Sequence, residues 1–259
     1  MNAERLRERK SEANKQRFYL TLNYVLAILT FVGLAVWVVI NQPRDLDFSG
    51  IEARSEVIRS AFFKTIEVSL IALAGSMVLG LVFYFFSISK IKYLRAFTDV
   101  FTEIIYGTPL LVMIFMMGYA IRSVFNFTDA SNMGLIGLTI YITPYMTNIF
   151  RAAFSSIPET QYQAMDLFGF SIFQRYVYII IPQMIRNLMA PLMNNFSLII
   201  KGSALLYVVT TREIFYELFS YRNATGRSLE AFFVMWLLYI SITLPLSMLT
   251  RFIERRWRT

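Results

Sequence analysis

Residues 18–40 read FYLTLNYVLAILTFVGLAVWVVI, a run without one charged side chain. As a helix rising about 1.5 Å per residue, such a run crosses a hydrocarbon core of about 30 Å. It is too long for the apolar region of a signal peptide and no small-residue cleavage site follows, so it is expected to be a permanent anchor. Comparable apolar segments recur at 61–88, 96–125, 133–150, 187–209 and 229–250. With 56% hydrophobic and 16% charged residues, the chain lacks the polar surface a soluble domain of 259 residues needs. The expected fold is an all-α membrane protein with six transmembrane helices.

The net charge of +8 admits two readings, nucleic-acid binding or membrane topology. Where the basic residues fall decides for topology. Placing residues 1–17, 89–95, 151–186 and 251–259 in the cytoplasm puts sixteen Lys and Arg there and eight outside, with Lys201 left inside a span. That bias predicts both termini inside, and no nucleic-acid partner is expected. The chain divides into a cytoplasmic tail (1–17), an N-terminal span (18–40), a helical core (61–250) holding a cytoplasmic segment (152–183), and a basic tail (251–259).

The sequence holds no Cys and no His. Thiolate and imidazole metal sites are thereby excluded, as are Ser-His-Asp and Cys-His nucleophile pairs. A G-x-x-x-x-G-K-[ST] phosphate loop is also missing, so this chain does not hydrolyse ATP by that route. No catalytic residue, metal ligand or cofactor is expected.

Within the spans, Ala72, Ser76 and Gly80 recur every fourth residue, a stripe that lets helices approach closely. Pro109, after Gly107 and Thr108, removes a backbone donor, which predicts a bend and a freed carbonyl near Ile105. Pro144 and Pro191 interrupt later spans. Asn148, Asn194, Asn195 and Ser203 have two open roles there: satisfying backbone freed by those prolines, or lining a polar path. Lys201 needs a partner, since a mid-membrane ammonium costs at least about 2.5 kcal/mol. Its candidate partners are a substrate carboxylate, Asp99, Glu103 or a helix C-terminus.

Between the fourth and fifth apolar segments lies QAMDLFGFSIFQRYVYIIIP, residues 163–182. Ser156 and Glu159 have capping-box spacing, which predicts a helix over 157–168. Gln161, Ala164, Met165 and Phe168 would share one face of it. Gly169 would terminate it left-handed, and Ser171 would cap a second short helix ending before Pro182. Two short helices at an angle, lying on the inner membrane face, are expected. Such an arrangement also arises as plain interfacial packing.

Other motifs extend the pattern. Gln163-Ala164-Met165, Gly169 and Ile179-Ile180-Ile181-Pro182 keep the spacing of the E-A-A, G, I-x-L-P hallmark of permease subunits of bacterial ABC importers. YGTPLLV (106–112) resembles the R-G-T-P-L-L of their polar amino-acid (histidine/glutamine/arginine) branch. YMTNIFRAAFSSIP (145–158) resembles Y-x-A-E-x-F-R-x-x-x-x-S-I-P, and PLMNNFSLIIKGSAL (191–205) resembles P-L-x-N-x-F-x-x-L-x-K-[DN]-[ST]-S-L. The chain is therefore identified as a member of that branch, the similarity running from about residue 63 to the end.

That resemblance implies a type I ABC importer permease core of five helices plus one extra N-terminal helix, in a bacterial cytoplasmic (inner) membrane. It implies a small amino compound as substrate, a separate ABC ATPase subunit dimer, a second permease subunit (a copy of this chain or a different one) and an extracellular or periplasmic solute-binding protein, within membrane lipid. By the resemblance, Gln163, Ala164, Met165, Phe168, Gly169 and Pro182 belong to the ATPase-coupling helix. Thr108, Pro109, Asn148, Asn194, Lys201 and Ser203 fall on the substrate pathway or gate. The sequence has Tyr106, Asn148, Gln163 and Gly202 where the branch carries Arg, Glu, Glu and an acid or amide, which admits a partner permease that keeps the charges or a less charged substrate. The competing readings are a secondary active transporter and a non-transporting structural subunit.

Overall fold

The computed structural model describes residues 3–41 and 45–257; Pro43 and Arg44 of the expected external loop, and Arg258 of the basic tail, lie outside the described residues. Helix α1 (Ala3–Ile40) is one continuous helix that includes the polar tail. It forms a compact unit by itself, residues 1–47, distinct from a second unit over 48–259.

The second unit begins with a short turn of helix, α2 (Ser49–Glu52), and the long α3 (Ser55–Ser87). Then come α4 (Lys92–Tyr106) and α5 (Leu110–Val124), and α6 (Ala130–Ser155). A nine-residue helix α7 (Glu159–Leu167) precedes the long α8 (Ile172–Val209). Finally come α9 (Ile214–Thr225) and α10 (Ser228–Trp257). Among the described residues five helices are long and apolar enough to cross a membrane, and the bent pair α4–α5 makes a sixth span if counted as one.

The third expected span is broken rather than bent: α4 and α5 meet at 106°. Pro109 takes an extended backbone (ψ 138°) and starts α5. The carbonyls its missing N–H would orphan are not free. Ile105 O accepts from Thr108 N at 3.1 Å, and Ile104 O accepts from the Thr108 hydroxyl at 2.7 Å. Helix α4 is two-sided, with Tyr93, Phe97, Val100 and Ile104 exposed along one stripe and Lys92, Arg95, Asp99 and Glu103 along another. Pro144 and Pro191, by contrast, sit inside continuous helices.

The core is the seam between α3 and α6, closed by α5 and α8. Val68, Ala72, Ile114, Leu138, Ile142, Met146, Ile199 and Leu206 are buried there. Lipid tails are as apolar as leucine, so close packing rather than water expulsion must hold spans together. The small-residue stripe supplies it: Ala72, Ser76 and Gly80 are all buried. A methyl group at Gly80 would lie 2.5 Å from Met146 Cβ. Thr147 donates across this seam to Gly80 O at 3.2 Å.

Side-chain caps fix several helix starts. Asp129 accepts from Ser131 N and Asn132 N at the start of α6. At α9, Glu213 is completely buried and accepts from Phe215 N (3.0 Å), Tyr216 N (2.8 Å) and the Tyr239 hydroxyl (2.7 Å). Burial pushes the Glu213 carboxyl up to about 7, against the opposing pull of those hydrogen bonds.

Two expectations about the cytoplasmic segment are corrected. Ser156 does not cap α7. It closes α6, donating back to Ala153 O at 2.7 Å, and the extended Pro158 (ψ 144°) starts α7 instead. The residue before a proline is pushed away from helical backbone, which separates the two helices at Ile157. Nor does a second short helix end before Pro182. Helix α8 runs through it, from Ile172 to Val209, with a π-helical stretch at Arg175–Ile180 just before the proline. A wider turn there absorbs the missing donor, so Pro182 sits in the first turn of the α-helical part that follows.

Candidate functional site

Two groups of residues stand out, one on the spans and one around α7. In the first, Tyr106 closes α4 and Asn148 lies on α6, and the Asn148 side-chain amide donates to the Tyr106 hydroxyl at 2.7 Å. The Tyr106 ring packs on Tyr145 with centroids 5.2 Å apart, and Tyr145 on Tyr141 at 6.0 Å. Two of the four positions where the sequence departs from the branch pattern thus touch one another. Asn148 is spent on a side chain, not on backbone freed by Pro144.

Lys201 is exposed, and among the described residues it pairs with neither Asp99 nor Glu103. It occupies the last α-helical turn before a 3-10 stretch, Ala204–Val209, where the helix dipole favours a cation. Next to it, a methyl group on Gly202 would meet Leu110 at 3.2 Å and Leu138 at 3.6 Å, which places this turn of α8 against the start of α5. Asn194, two turns before Lys201, is exposed and also lacks a partner among the described residues. Asn195 has a buried, unpartnered Oδ1. Ser203 differs from the expectation for a pathway residue: it is buried and donates to Ile200 O at 2.8 Å, its helix's own carbonyl. Thr108 and Pro109 form the α4–α5 break, Thr108 as the carbonyl's partner and Pro109 exposed.

In the second group, α7 stops in a Schellman motif. Gly169 has φ +68°, Phe170 N donates to Met165 O at 3.0 Å, and Gly169 N donates to Asp166 O at 3.1 Å. Phe170 packs on Met165, which is only 3% exposed and clusters with Ile157 and Ile180. Met165 therefore anchors α7 to its own chain, correcting the expectation that it shares an outward face with Phe168. The outward apolar surface is Leu167 (88% exposed) and Phe168 (81%) before the turn, with Ile172 (75%) and Phe173 (68%) after it. Gln163 is exposed beside them, and Ala164 is half-buried.

This outward surface is held firmly. Ser171 and Gln174 form a reciprocal capping box at the start of α8. Arg175 pairs with Asp166 and donates to Phe170 O at 2.8 Å. Gln183 donates to Gln161 at 3.1 Å, and Asn187 to the Ser156 hydroxyl at 2.5 Å. Helices α6, α7 and α8 are thus tied by side chains at both ends of α7. Sequence reasoning missed Leu167, Ile172 and Phe173, although apolar doublets on both sides of Gly169 in a polar stretch were a readable signal.

A chain with this arrangement, a broken span, exposed polar side chains on the spans and a braced turn at Gly169, has known relatives. Residues 76–259 match the model of the family described as binding-protein-dependent transport system inner membrane component. The chain belongs to this family. It is thus a membrane permease subunit of an ABC importer. The permease is 30% identical over 195 residues to the probable glutamine ABC transporter permease protein GlnM of Bacillus subtilis (strain 168), covering 75% of this chain and 90% of that one. It is 30% identical over 209 residues to the histidine/lysine/arginine/ornithine transport system permease protein HisM of Escherichia coli (strain K12), covering 75% and 88%. Among solved structures, an amino acid ABC transporter crystallised with histidines matches with TM-score 0.74 and 26% identity, over 82% of the permease and 100% of that chain. The fold is the type I permease fold.

Proposed function

We propose that this permease forms half of the gate of an ATP-driven importer for a small amino acid or similar amino compound. The amino acids for which these relatives are named support the amino-acid class. ATP hydrolysis belongs to a separate ATPase dimer, and delivery to a solute-binding protein outside. The permease sits in the bacterial cytoplasmic membrane with both termini inside, as the distribution of Lys and Arg favours. A second permease subunit covers the face that carries Asn148, Asn194 and Lys201, because polar groups at membrane depth do not face lipid.

The observation that carries this reading is the exposed apolar surface around Gly169. Leu167, Phe168, Ile172 and Phe173 are uncovered. Burying each in a partner groove is worth about 1.5–3 kcal/mol before association costs. The surface is braced to α8, the same helix that carries Lys201, so a displacement of the docked ATPase pulls on the gate as a rigid-body motion.

The test is uptake by the assembled transporter in vesicles loaded with ATP. The double variant Leu167→Ser, Phe168→Ser should insert normally, lose co-purification with the ATPase and lose uptake by at least tenfold, as about 3 kcal/mol or more of burial disappears. Wild-type uptake driven by an ion gradient without ATP would instead establish a secondary transporter.

A further inference from the structure

Where the bundle meets its cytoplasmic segment, a cavity of about 580 Å³ opens between the ends of α3 and α6, helix α7 and the start of α8. Its walls are mostly apolar, with Tyr84 and Phe154 stacked flat at 4.7 Å and 4°. Tyr162 from α7 and Tyr176 from the π-helical stretch complete it. The three phenols line one cavity, and Arg151 lies one helical turn before Phe154 and Ser155 of the same wall. Among the described residues none of these three hydroxyls, nor the Arg151 guanidinium, has a hydrogen-bond or ion-pair partner. At the cavity mouth Phe85, Ile88 and Ile181 are exposed, and Ile185 one turn on continues the apolar surface.

Phenolic donors lining an apolar cavity, with an exposed guanidinium on the adjoining turn of α6, fit a ligand with anionic oxygens at one end and hydrocarbon at the other. Among occupants of a membrane surface, a phospholipid of the anionic cytoplasmic leaflet has that chemistry. We propose that the cavity binds one anionic phospholipid, its phosphate on Arg151 and the phenol hydroxyls and an acyl chain over Phe85, Ile88 and Ile181. This rests on the orientation proposed above, which puts α7 on the cytoplasmic side. The walls come from both the bundle and α7–α8, so the lipid bridges the coupling segment to the membrane helices. π-Helical turns are frequent at such functional sites.

The test uses the assembled transporter in nanodiscs of phosphatidylcholine carrying spin-labelled phosphatidylglycerol or spin-labelled phosphatidylcholine. The wild type should immobilise phosphatidylglycerol about tenfold more strongly than phosphatidylcholine. Arg151→Gln, and separately Tyr84→Phe with Tyr162→Phe and Tyr176→Phe, should each bring that ratio to within about twofold, while Arg186→Gln, an exposed cation that does not line the cavity, should leave it unchanged. The phenylalanine variant keeps the ring packing, and unchanged thermal midpoints establish that both variants fold. Retention of the full preference in both variants overturns the proposal. So does an equal loss with Arg186→Gln, which marks general surface charge, or full displacement by glycerol phosphate, which marks a site for a free phosphate. The readout needs neither substrate nor ATP, so its failure leaves the transport reading standing.

Discussion

Replacing Gly80 by alanine should open the seam between α3 and α6. The added Cβ would lie 2.5 Å from Met146 Cβ and 3.1 Å from main-chain atoms of Met146 and Thr147. None of these is the end of a rotatable chain, so the helices must part by about 1–1.5 Å to reach normal carbon contact. A gap of that size forfeits on the order of half the dispersion energy of the neighbouring contacts. It also stretches the Thr147–Gly80 hydrogen bond of 3.2 Å, a type of bond worth about 0.6 kcal/mol between spans. Against this stands about 0.5–1 kcal/mol gained from the higher helix propensity of alanine. The net expectation is a loss of about 2–3 kcal/mol, at the upper end of overpacking effects.

Two other glycines serve as internal controls. Gly33 on α1 has nothing within 4 Å of an added Cβ, so Gly33→Ala should be neutral or stabilising. Gly75 would place its Cβ 2.8 Å from Thr139 Cγ2, a methyl that can rotate away at the expense of the Thr139–Leu135 bond. Gly75→Ala should fall between the other two. Thermal unfolding of purified protein, followed by tryptophan fluorescence, should rank the midpoints Gly33→Ala, Gly75→Ala, Gly80→Ala from high to low. If Gly80→Ala melts together with Gly33→Ala, the close approach of α3 and α6 is not what holds this core.

Glu213 should make stability pH-dependent. Its folded carboxyl titrates near 7 because burial outweighs its hydrogen bonds, while the unfolded one titrates near the ordinary value of 4.5. Between those values the folded state holds the proton more tightly, so stability is full below the lower value and falls as pH rises to the upper. The loss is on the order of 2–4 kcal/mol. Melting between pH 4.5 and 8 should show that slope in the wild type and a flattened one in Glu213→Gln; equal slopes would dismiss Glu213 as its source. Lys201→Ala should lower uptake at normal expression, through loss of the cation in the last α-helical turn of α8; unchanged uptake would remove Lys201 from the pathway.

Much of the site was readable residue by residue, and the misses share a cause. Gly169 read as a left-handed terminator because glycine adopts φ +68° at little expense. Met165 misled because helical spacing puts it near Phe168, whereas burial depends on Ile157 and Ile180, which only the fold brings beneath it. Ser156 has a capping residue's chemistry, but the proline two residues on moves the helix start past it. Tyr106 and Asn148 were each noted as neutral substitutions. Their hydrogen bond, spanning 42 positions, is invisible to any local pattern.

The sequence by itself determined that this chain lives in a membrane, that its Lys and Arg concentrate in alternate polar segments, and that a helix stops at Gly169. Those properties follow from local chemistry: apolar length against bilayer thickness, charge against topology, and glycine or proline against helical backbone. Only the tertiary structure decided that Gly107–Pro109 breaks a span through 106°, that α8 continues through Pro182, and which side chains of the turn at Gly169 face outward. A bend angle, a wider helical turn and an exposed face are each settled by what packs on the far side of the residue. That neighbour is distant in sequence, and only the folded bundle puts it there.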